Sequence, residues 1–364
     1  MFDNRKTIGR IFIFIIFLIS LPTWLFAARP MGGQLYRGIL NSLPTKKIFK
    51  NMENAFSSGL FGSAIFSGFD TNLKFILTGQ LFSAQVLLGK DGWLFYKSQS
   101  DGDSIGDFTG TAVFLEREKE RILKSLTDAN KYCSENGIFF TFLVAPNKEN
   151  IYADKMPTEI VKVADKTRTD LLIEYLREKT KINIVYPKKE LLDLCNQYQL
   201  WHKHDTHWSS LGAFVAVQQL IDSWGYGRSF LKNEKIKTIL LNNNNKEADG
   251  DLAKMCHMTW LFKEKKKYSI DGEKVIDPKK FSEEQKEGFS HFVNPSYLHD
   301  ETMLLIGDSF RVALVSHLFQ QFHHLFVIHR YNYSPEILQK INPNRVIVEY
   351  VERYVADFAN WKIM

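Results

Sequence analysis

The chain has 364 residues, 45% of them hydrophobic, which is enough to bury the core of one large or two ordinary domains and too apolar for a disordered protein. Its formal net charge is +6, from 47 basic and 41 acidic residues, with the basic residues scattered or gathered in surface-like text such as Lys263 to Lys267. Nucleic-acid binding needs a concentrated basic face, so no nucleic-acid partner is expected.

From Ile11 to Ala28 the chain carries no charge; Arg5, Lys6 and Arg10 precede this run and Arg29 follows it. The run is long enough to cross a bilayer, and small residues at a cleavage site are poorly placed, so residues 1–30 read as an uncleaved signal anchor. The preceding basic residues place the N-terminus in the cytoplasm. The expectation is a single-pass protein of the inner, cytoplasmic membrane whose body lies in the periplasm or extracytoplasmic space. Residues 31–80 read as a juxtamembrane connector with short helices.

Residues 81–364 read as one α/β domain. Val86 to Ser98 has two apolar runs about a Lys-Asp-Gly turn, which predicts a hairpin. Phe114 to Asn136 has apolar residues at helical spacing and stops at Gly137. A strand is expected at Ile138 to Val144, a helix near Ile160 to Lys179, a strand at Ile182 to Val185 and a short helix before Cys195. Helix Leu211 to Trp224 follows, with Ser209 as its N-cap. Residues 226–300 are polar and lysine-rich and read as an excursion over the surface. The alternation resumes with strand Met303 to Ile306, helix Val312 to Phe322, strand Leu325 to Ile328, helix Pro335 to Ile341 and strand Arg345 to Val351. Strands alternating with helices predict a three-layer fold on a mostly parallel sheet.

Two segments carry the chemistry. Asp205-Thr206-His207-Trp208 supplies a carboxylate and an imidazole at the entry to a helix, and Gly307-Asp308-Ser309-Phe310 supplies a hydroxyl between a strand and a helix. A serine hydroxyl needs a base within hydrogen-bond reach, and that base needs a third group to fix its tautomer. The strand-to-helix turn also places Ser309 at the carboxyl end of a parallel strand, where α/β sheets bind ligands. Each segment alone also reads as ordinary capping chemistry; their joint occurrence points to a catalytic Ser309, His207 and Asp205.

His202, His204, Asp205 and His207 invite a zinc reading, but the hydrolytic order His-x-His-x-Asp-His needs aspartate at position 206, where Thr206 stands. No metal and no cofactor are expected. Three cysteines are too few for a disulfide scaffold: an exported location permits a Cys195–Cys256 bond without demanding one, and Cys133 reads as a buried thiol on a helix.

From residue 85 to 355 the chain resembles the SGNH-hydrolase-like alginate O-acetyltransferases, the AlgJ and AlgX family. The likeness rests on Val86 to Tyr96, Ala145 to Lys148 and on to Tyr152, Asp205 to Trp208 with Gly212-Ala213, Gly250 to Leu252, Gly307 to Phe310, and Val351 to Arg353, in this order. The resemblance implies an SGNH-like fold, with Ser309 as nucleophile, His207 as base and Asp205 as its orienting partner. It implies an acetyl group delivered by a membrane-bound O-acyltransferase partner and passed to a polysaccharide acceptor. The anchored, single-domain AlgJ arrangement is the nearer one, because the carbohydrate-binding module of AlgX-like chains is not expected after the last strand. For oxyanion or substrate contact the Ser309 backbone, Asp308, Arg330, Tyr331 and Trp208 are candidates. Trp93, Phe95, Tyr96, Trp201 and Trp208 are candidates for a sugar-stacking surface or for ordinary core. An acetyl esterase with the same triad, and a non-catalytic glycan-binding scaffold of a membrane complex, compete with the transferase.

Overall fold

Apolar runs bounded by turn residues become strands, and amphipathic runs between them become helices that cover both faces of one sheet. The structure, a computed structural model, describes residues 71–72, 74–227, 236–240, 249–264, 266–270, 282–286 and 288–364. The expected anchor at residues 1–30 and most of the connector lie outside the described residues. Among the described residues no helix is long and apolar enough to cross a membrane.

Strands β1 (Val86–Leu88) and β2 (Leu94–Tyr96) form the expected antiparallel hairpin, closed by a 3-10 turn in which Asp91 and Gly92 take φ of 55° and 73°. Helices α1 (Ser104–Thr109) and α2 (Glu116–Glu135) follow, then β3 (Phe139–Ala145), α3 (Lys148–Ile151), α4 (Arg168–Lys179), β4 (Asn183–Val185) and α5 (Lys188–Cys195). Gly137, at φ 71°, ends α2 in the left-handed region that glycine favours. A reciprocal cap starts α4, with Thr167 Oγ1 accepting from the Asp170 N–H and the Asp170 carboxylate accepting from the Thr167 N–H. That cap shortens the helix expected from Ile160.

Helix α6 (Ser210–Ser223) starts at Ser209, whose hydroxyl accepts from the Gly212 N–H. Beyond it come β5 (Ile236–Leu240), α7 (Asp251–Met255), β6 (Lys266–Ile270), β7 (Ser282–Lys286) and β8 (Phe289–Val293), then β9 (His299–Gly307), α8 (Arg311–Phe319), β10 (Phe322–His329), α9 (Pro335–Ile341) and β11 (Arg345–Val351). A 3-10 segment, Glu352–Asn360, closes the domain.

Seven strands form the main sheet in the order β4-β3-β11-β9-β10-β8-β7. The first five are parallel; β8 and β7 extend that sheet antiparallel beyond β10. This amends the reading of residues 226–300 as surface excursion, because part of that segment completes the sheet. The helix expected to reach Phe322 stops at Phe319, and His323 and His324 lie in β10, where the ladder to β9 and β8 takes the chain from Phe322 onward.

Successive strand residues feed two opposite cores, as the pleat requires. On one face Met303, Leu305 and Ile347 pack with Phe214, Leu220, Leu314 and Leu318 of α6 and α8. On the other, Leu304, Ile306, Val346 and Val348 pack with Ile122, Leu126, Leu172 and Leu338 of α2, α4 and α9. Cys133 is buried in this second core and burial pushes its thiol up to about 12; all three cysteines are free thiols.

Candidate active site

The turn that carries Ser309, the expected nucleophile, is built from buried acids. Gly307 ends β9, and a Cβ there would stand 2.4 Å from Glu349 Oε2 and 3.0 Å from Glu349 Cβ. Gly307 is thus required for space beside β11, and its φ lies outside the left-handed region. Glu349 Oε2 accepts the Asp308 N–H at 3.1 Å; burial, with the Asp308 charge, pushes the Glu349 carboxyl well above its ordinary value. Asp308 is itself buried and spends its carboxylate on two amides, Phe310 N at 2.9 Å and Val351 N at 2.8 Å. With Asp308 so bound, Ser309 is left exposed at the tip of the turn.

Gly307→Ala tests this packing. Overpacking against a fixed strand costs about 1–3 kcal/mol, so urea unfolding of the variant is expected to show a loss of that size together with reduced activity; an unchanged midpoint would show that Glu349 yields freely.

The expected base, His207, arrives on the loop between α5 and α6. Leu200 O accepts the Ser209 N–H and His207 O accepts the His202 N–H, closing a narrow loop with Trp201 opposite Trp208. Within it Asp205 makes an Asx turn, its Oδ1 accepting the His207 N–H at 2.9 Å. The same Oδ1 lies 2.7 Å from His207 Nδ1, and His207 Nε2 lies 2.7 Å from Ser309 Oγ. The two segments, 102 residues apart, thus meet in a continuous hydrogen-bonded chain from Asp205 through His207 to Ser309. Burial opposes the Asp205 charge, but hydrogen bonds and charge from His207, with the Asp251 amide, hold its carboxyl well below the usual range. Phe310 covers one side of the imidazole at a centroid distance of 4.9 Å.

Residues outside the two segments support this arrangement. Lys148 is buried between the Trp93 and Phe95 rings and donates to the carbonyls of Leu94, Lys203 and Asp205 at 2.7, 2.9 and 3.0 Å, tying the hairpin to the base loop. Burial draws this ammonium down to about 7, while nearby carboxylates oppose the shift. Glu352 accepts from Asn147 N, Asn150 Nδ2, Thr167 Oγ1 and Tyr186 OH, knotting the ends of β3 and β11 to the cap of α4. Asp251, from the polar segment, approaches the base loop from the other side: its Oδ1 accepts the Thr206 N–H at 2.7 Å and its Oδ2 lies 3.6 Å from His207 Nδ1. Sequence reasoning left Lys148, Glu352 and Asp251 without roles, although the segments Ala145 to Lys148, Gly250 to Leu252 and Val351 to Arg353 marked their places.

The remaining candidates lie elsewhere. Trp208 is buried, its indole N–H donating to Phe310 O at 3.0 Å, and Arg330 is buried, ion-paired to Asp357 at 2.8 Å and set over the Tyr350 and Tyr354 rings. Both side chains are committed to the scaffold, as is that of Asp308. Tyr331 is exposed just past β10, whose end, His329, pairs with Gly307, so it stands at the same edge of the sheet as Ser309. Trp93, Phe95, Tyr96 and Trp201 are all buried with Trp208, so these five belong to the core and form no stacking surface. His204 is buried against Phe262, and burial with the Lys148 and Lys203 charges lowers it to about 4. Among the described residues one group, Asp205, His207 and Asp251, has the spacing to hold a metal ion. Its ligand atoms are already engaged by the Thr206 and Asp251 amides and by each other.

A mostly parallel α/β sheet, with hydroxyl, imidazole and carboxylate in series at its carboxyl edge, has the form of an SGNH-hydrolase-like protein. Residues 86–320 match the family described as SGNH hydrolase-like domain, acetyltransferase AlgX, and the chain belongs to that family. It is 25% identical over 218 residues to the probable alginate O-acetylase AlgJ of Pseudomonas syringae pv. tomato, covering 57% of this chain and 50% of that one, so it spans about half the length of this curated relative. In fold it is similar to Bacillus cereus PatB1 carrying a sulfonyl adduct (TM-score 0.52, 16% identity, 76% of this chain and 99% of that one). A second PatB1 structure gives a TM-score of 0.50 at 15% identity over 74% of this chain and 96% of that one.

Proposed function

We propose that this protein is an O-acetyltransferase that carries an acetyl group on Ser309 and passes it to a hydroxyl of an extracytoplasmic polysaccharide. The observation that supports the reading is the 2.7 Å approach of His207 Nε2 to Ser309 Oγ, in a chain of the acetyltransferase AlgX family. An ionised carboxylate can only accept, so Asp205 Oδ1 accepts a hydrogen bond from Nδ1–H, keeping that proton on Nδ1 and leaving the Nε2 lone pair for the serine hydroxyl.

Ser309 Oγ attacks the acetyl carbonyl carbon while its proton passes to Nε2. The developing oxyanion is assigned to the Ser309 amide, because the Asp308 and Phe310 amides are spent on Glu349 and Asp308. Collapse expels the leaving group, which takes the proton from His207 and leaves acetyl-Ser309. The acceptor hydroxyl then gives its proton to Nε2 and attacks the acetyl carbon; Ser309 departs and recovers that proton. One base serves both halves.

The donor is an acetyl group presented by a membrane-bound O-acyltransferase partner, and the segment at residues 1–30 anchors the domain at the inner membrane with its site on the periplasmic side. The first assignment rests on the resemblance to the AlgJ and AlgX family, the second on the uncharged run from Ile11 to Ala28. The similarity to a probable alginate O-acetylase supports an alginate-like acceptor.

Mass spectrometry after mixing with a chromogenic acetyl ester tests the reading. One acetyl group is expected on the Ser309 peptide, and a glycan acceptor is expected to remove it as acetylated sugar. Acetate alone in the presence of acceptor would make the protein an esterase; no adduct on Ser309 would overturn the acyl-enzyme.

A further inference from the structure

The polar segment between α6 and β9 reaches the reacting groups through Asp251, in a position the triad alone does not explain. Asp251 Oδ1 accepts the Thr206 N–H at 2.7 Å, and its Oδ2 accepts the Thr206 hydroxyl at 2.5 Å. In return the Asp251 N–H donates to Asp205 Oδ2 at 2.9 Å. Two carboxylates on separate segments thus each accept an amide from the other's backbone neighbourhood. Closeness of the two segments is built in: Ala253 N donates to His204 O, and a Cβ on Gly250 would stand 2.1 Å from that carbonyl oxygen. Gly250 is therefore the residue that lets the segment lie against the base loop.

We infer that Asp251 is a positioning residue for the serine and histidine pair, the outer carboxylate of a latch Asp251–Thr206–Asp205 that holds His207 at Ser309. The inference rests on the reading of Ser309 as nucleophile and His207 as base. Asp205 Oδ1 lies 2.7 Å from Nδ1 and Thr206 Oγ1 3.3 Å from it, while within its own loop the Asp205 carboxylate is held by the two-residue turn to the His207 N–H. The Asp251 amide fixes its second oxygen, and the Asp251 carboxylate fixes the residue between acid and base. Its Oδ2, 3.6 Å from Nδ1, also puts a second negative charge beside the ring as His207 takes up the serine proton. The polar segment is on this account a component of the reaction centre.

The test is covalent labelling of the full-length chain by phenylmethanesulfonyl fluoride, followed by intact-mass spectrometry. Ser309 Oγ attacks sulfur, fluoride leaves and His207 takes the serine proton, so the labelling rate reads the pair without donor or acceptor. Wild type is expected to label on Ser309 and Ser309→Ala not at all; any other result there overturns the function reading itself, and the latch with it. Against a labelled wild type, Asp251→Ala is expected to label about 100-fold more slowly, the scale of a small misplacement of a reacting group. Asp251→Asn retains one acceptor for the Thr206 amide and is expected to recover about tenfold of that loss. With the chromogenic acetyl ester, kcat is expected to fall while KM holds. Labelling of folded Asp251→Ala at the wild-type rate overturns the inference. Where circular dichroism shows that Asp251→Ala does not fold, Asp251→Asn and Thr206→Val carry the test: both slower supports the latch, both at the wild-type rate overturns it.

Discussion

Ser309→Ala is expected to lower kcat for acetyl transfer by on the order of 10⁴ to 10⁶, the range in which a nucleophile and its base fail as a unit. The expectation follows from what Ser309 does and does not touch. Its hydroxyl meets His207 Nε2 at 2.7 Å and is exposed, so its removal takes away the attacking atom while leaving both cores intact. The thermal midpoint is therefore expected to stay within a few degrees of wild type, which separates loss of chemistry from loss of fold. His207→Ala is expected to fall to the same floor, and the double variant no further, because either change disables the same step. Initial rates on the acetyl ester, with melting curves for each variant, check this. Retained activity in Ser309→Ala would take the hydroxyl out of the reaction and turn attention to Asp205, His207 and Asp251 as a metal site.

How much of this was legible depended on the range of the interaction that decides each feature. β9 and β11 read directly from sequence because Met303 to Ile306 is wholly apolar and Val346 to Val348 is an unbroken apolar run feeding both cores, as strands buried on both faces must be. Ser309 and His207 were legible because a strand end and a helix cap bracket them locally. β7, in contrast, has the text Ser-Glu-Glu-Gln-Lys, and only its pairing with β8 makes it a strand. β10 begins at Phe322, earlier than its own periodicity suggests, because β9 and β8 flank it.

The supporting acids were hidden for a different reason. Asp251 lies 46 residues from Asp205 in a stretch with no period, so nothing local distinguishes it from a solvated aspartate. Glu349 and Glu352 sit at the end of an apolar strand, where carboxylates count against burial until their donors are known. The aromatic residues misled in the opposite sense: an indole that stacks on sugar and one that fills a core look alike in sequence, and here Trp93, Trp201 and Trp208 fill the core. Tyr331 alone of the candidate ligand contacts is both aromatic and exposed at the edge where Ser309 stands.

Asp205→Asn is expected to cost about 10³ to 10⁴ in kcat with KM little changed, the loss that follows when a base is held in the wrong tautomer. The substitution preserves shape, so its effect depends on hydrogen-bond polarity alone. Asp205 Oδ1 accepts both the His207 N–H and the Nδ1 proton, while Oδ2 accepts the Asp251 N–H. An asparagine has one acceptor oxygen for these three donors. With that oxygen toward His207, the tautomer survives, but the amide NH₂ faces the Asp251 N–H and drives the polar segment away from the loop. With the oxygen toward Asp251, the NH₂ faces the His207 N–H and donates to Nδ1, so the ring carries its proton on Nε2 and offers Ser309 no lone pair. The second orientation stops the proton transfer outright, and the first loosens the latch, so both lower the same rate. Pairing Asp205→Asn with Asp251→Ala tests whether the two carboxylates act as one unit. The double variant is expected to lose little beyond Asp205→Asn in either case. In the first orientation the clash at the Asp251 N–H has already drawn the Asp251 carboxylate off Thr206, and in the second His207 no longer takes the serine proton, so its positioning has nothing left to lose. A full Asp251→Ala loss on top would mean that Asp251 acts apart from Asp205. Sulfonyl labelling rates of the four proteins in this cycle give the answer, and a single Asp205→Asn rate within a factor of ten of wild type would remove Asp205 from its orienting role.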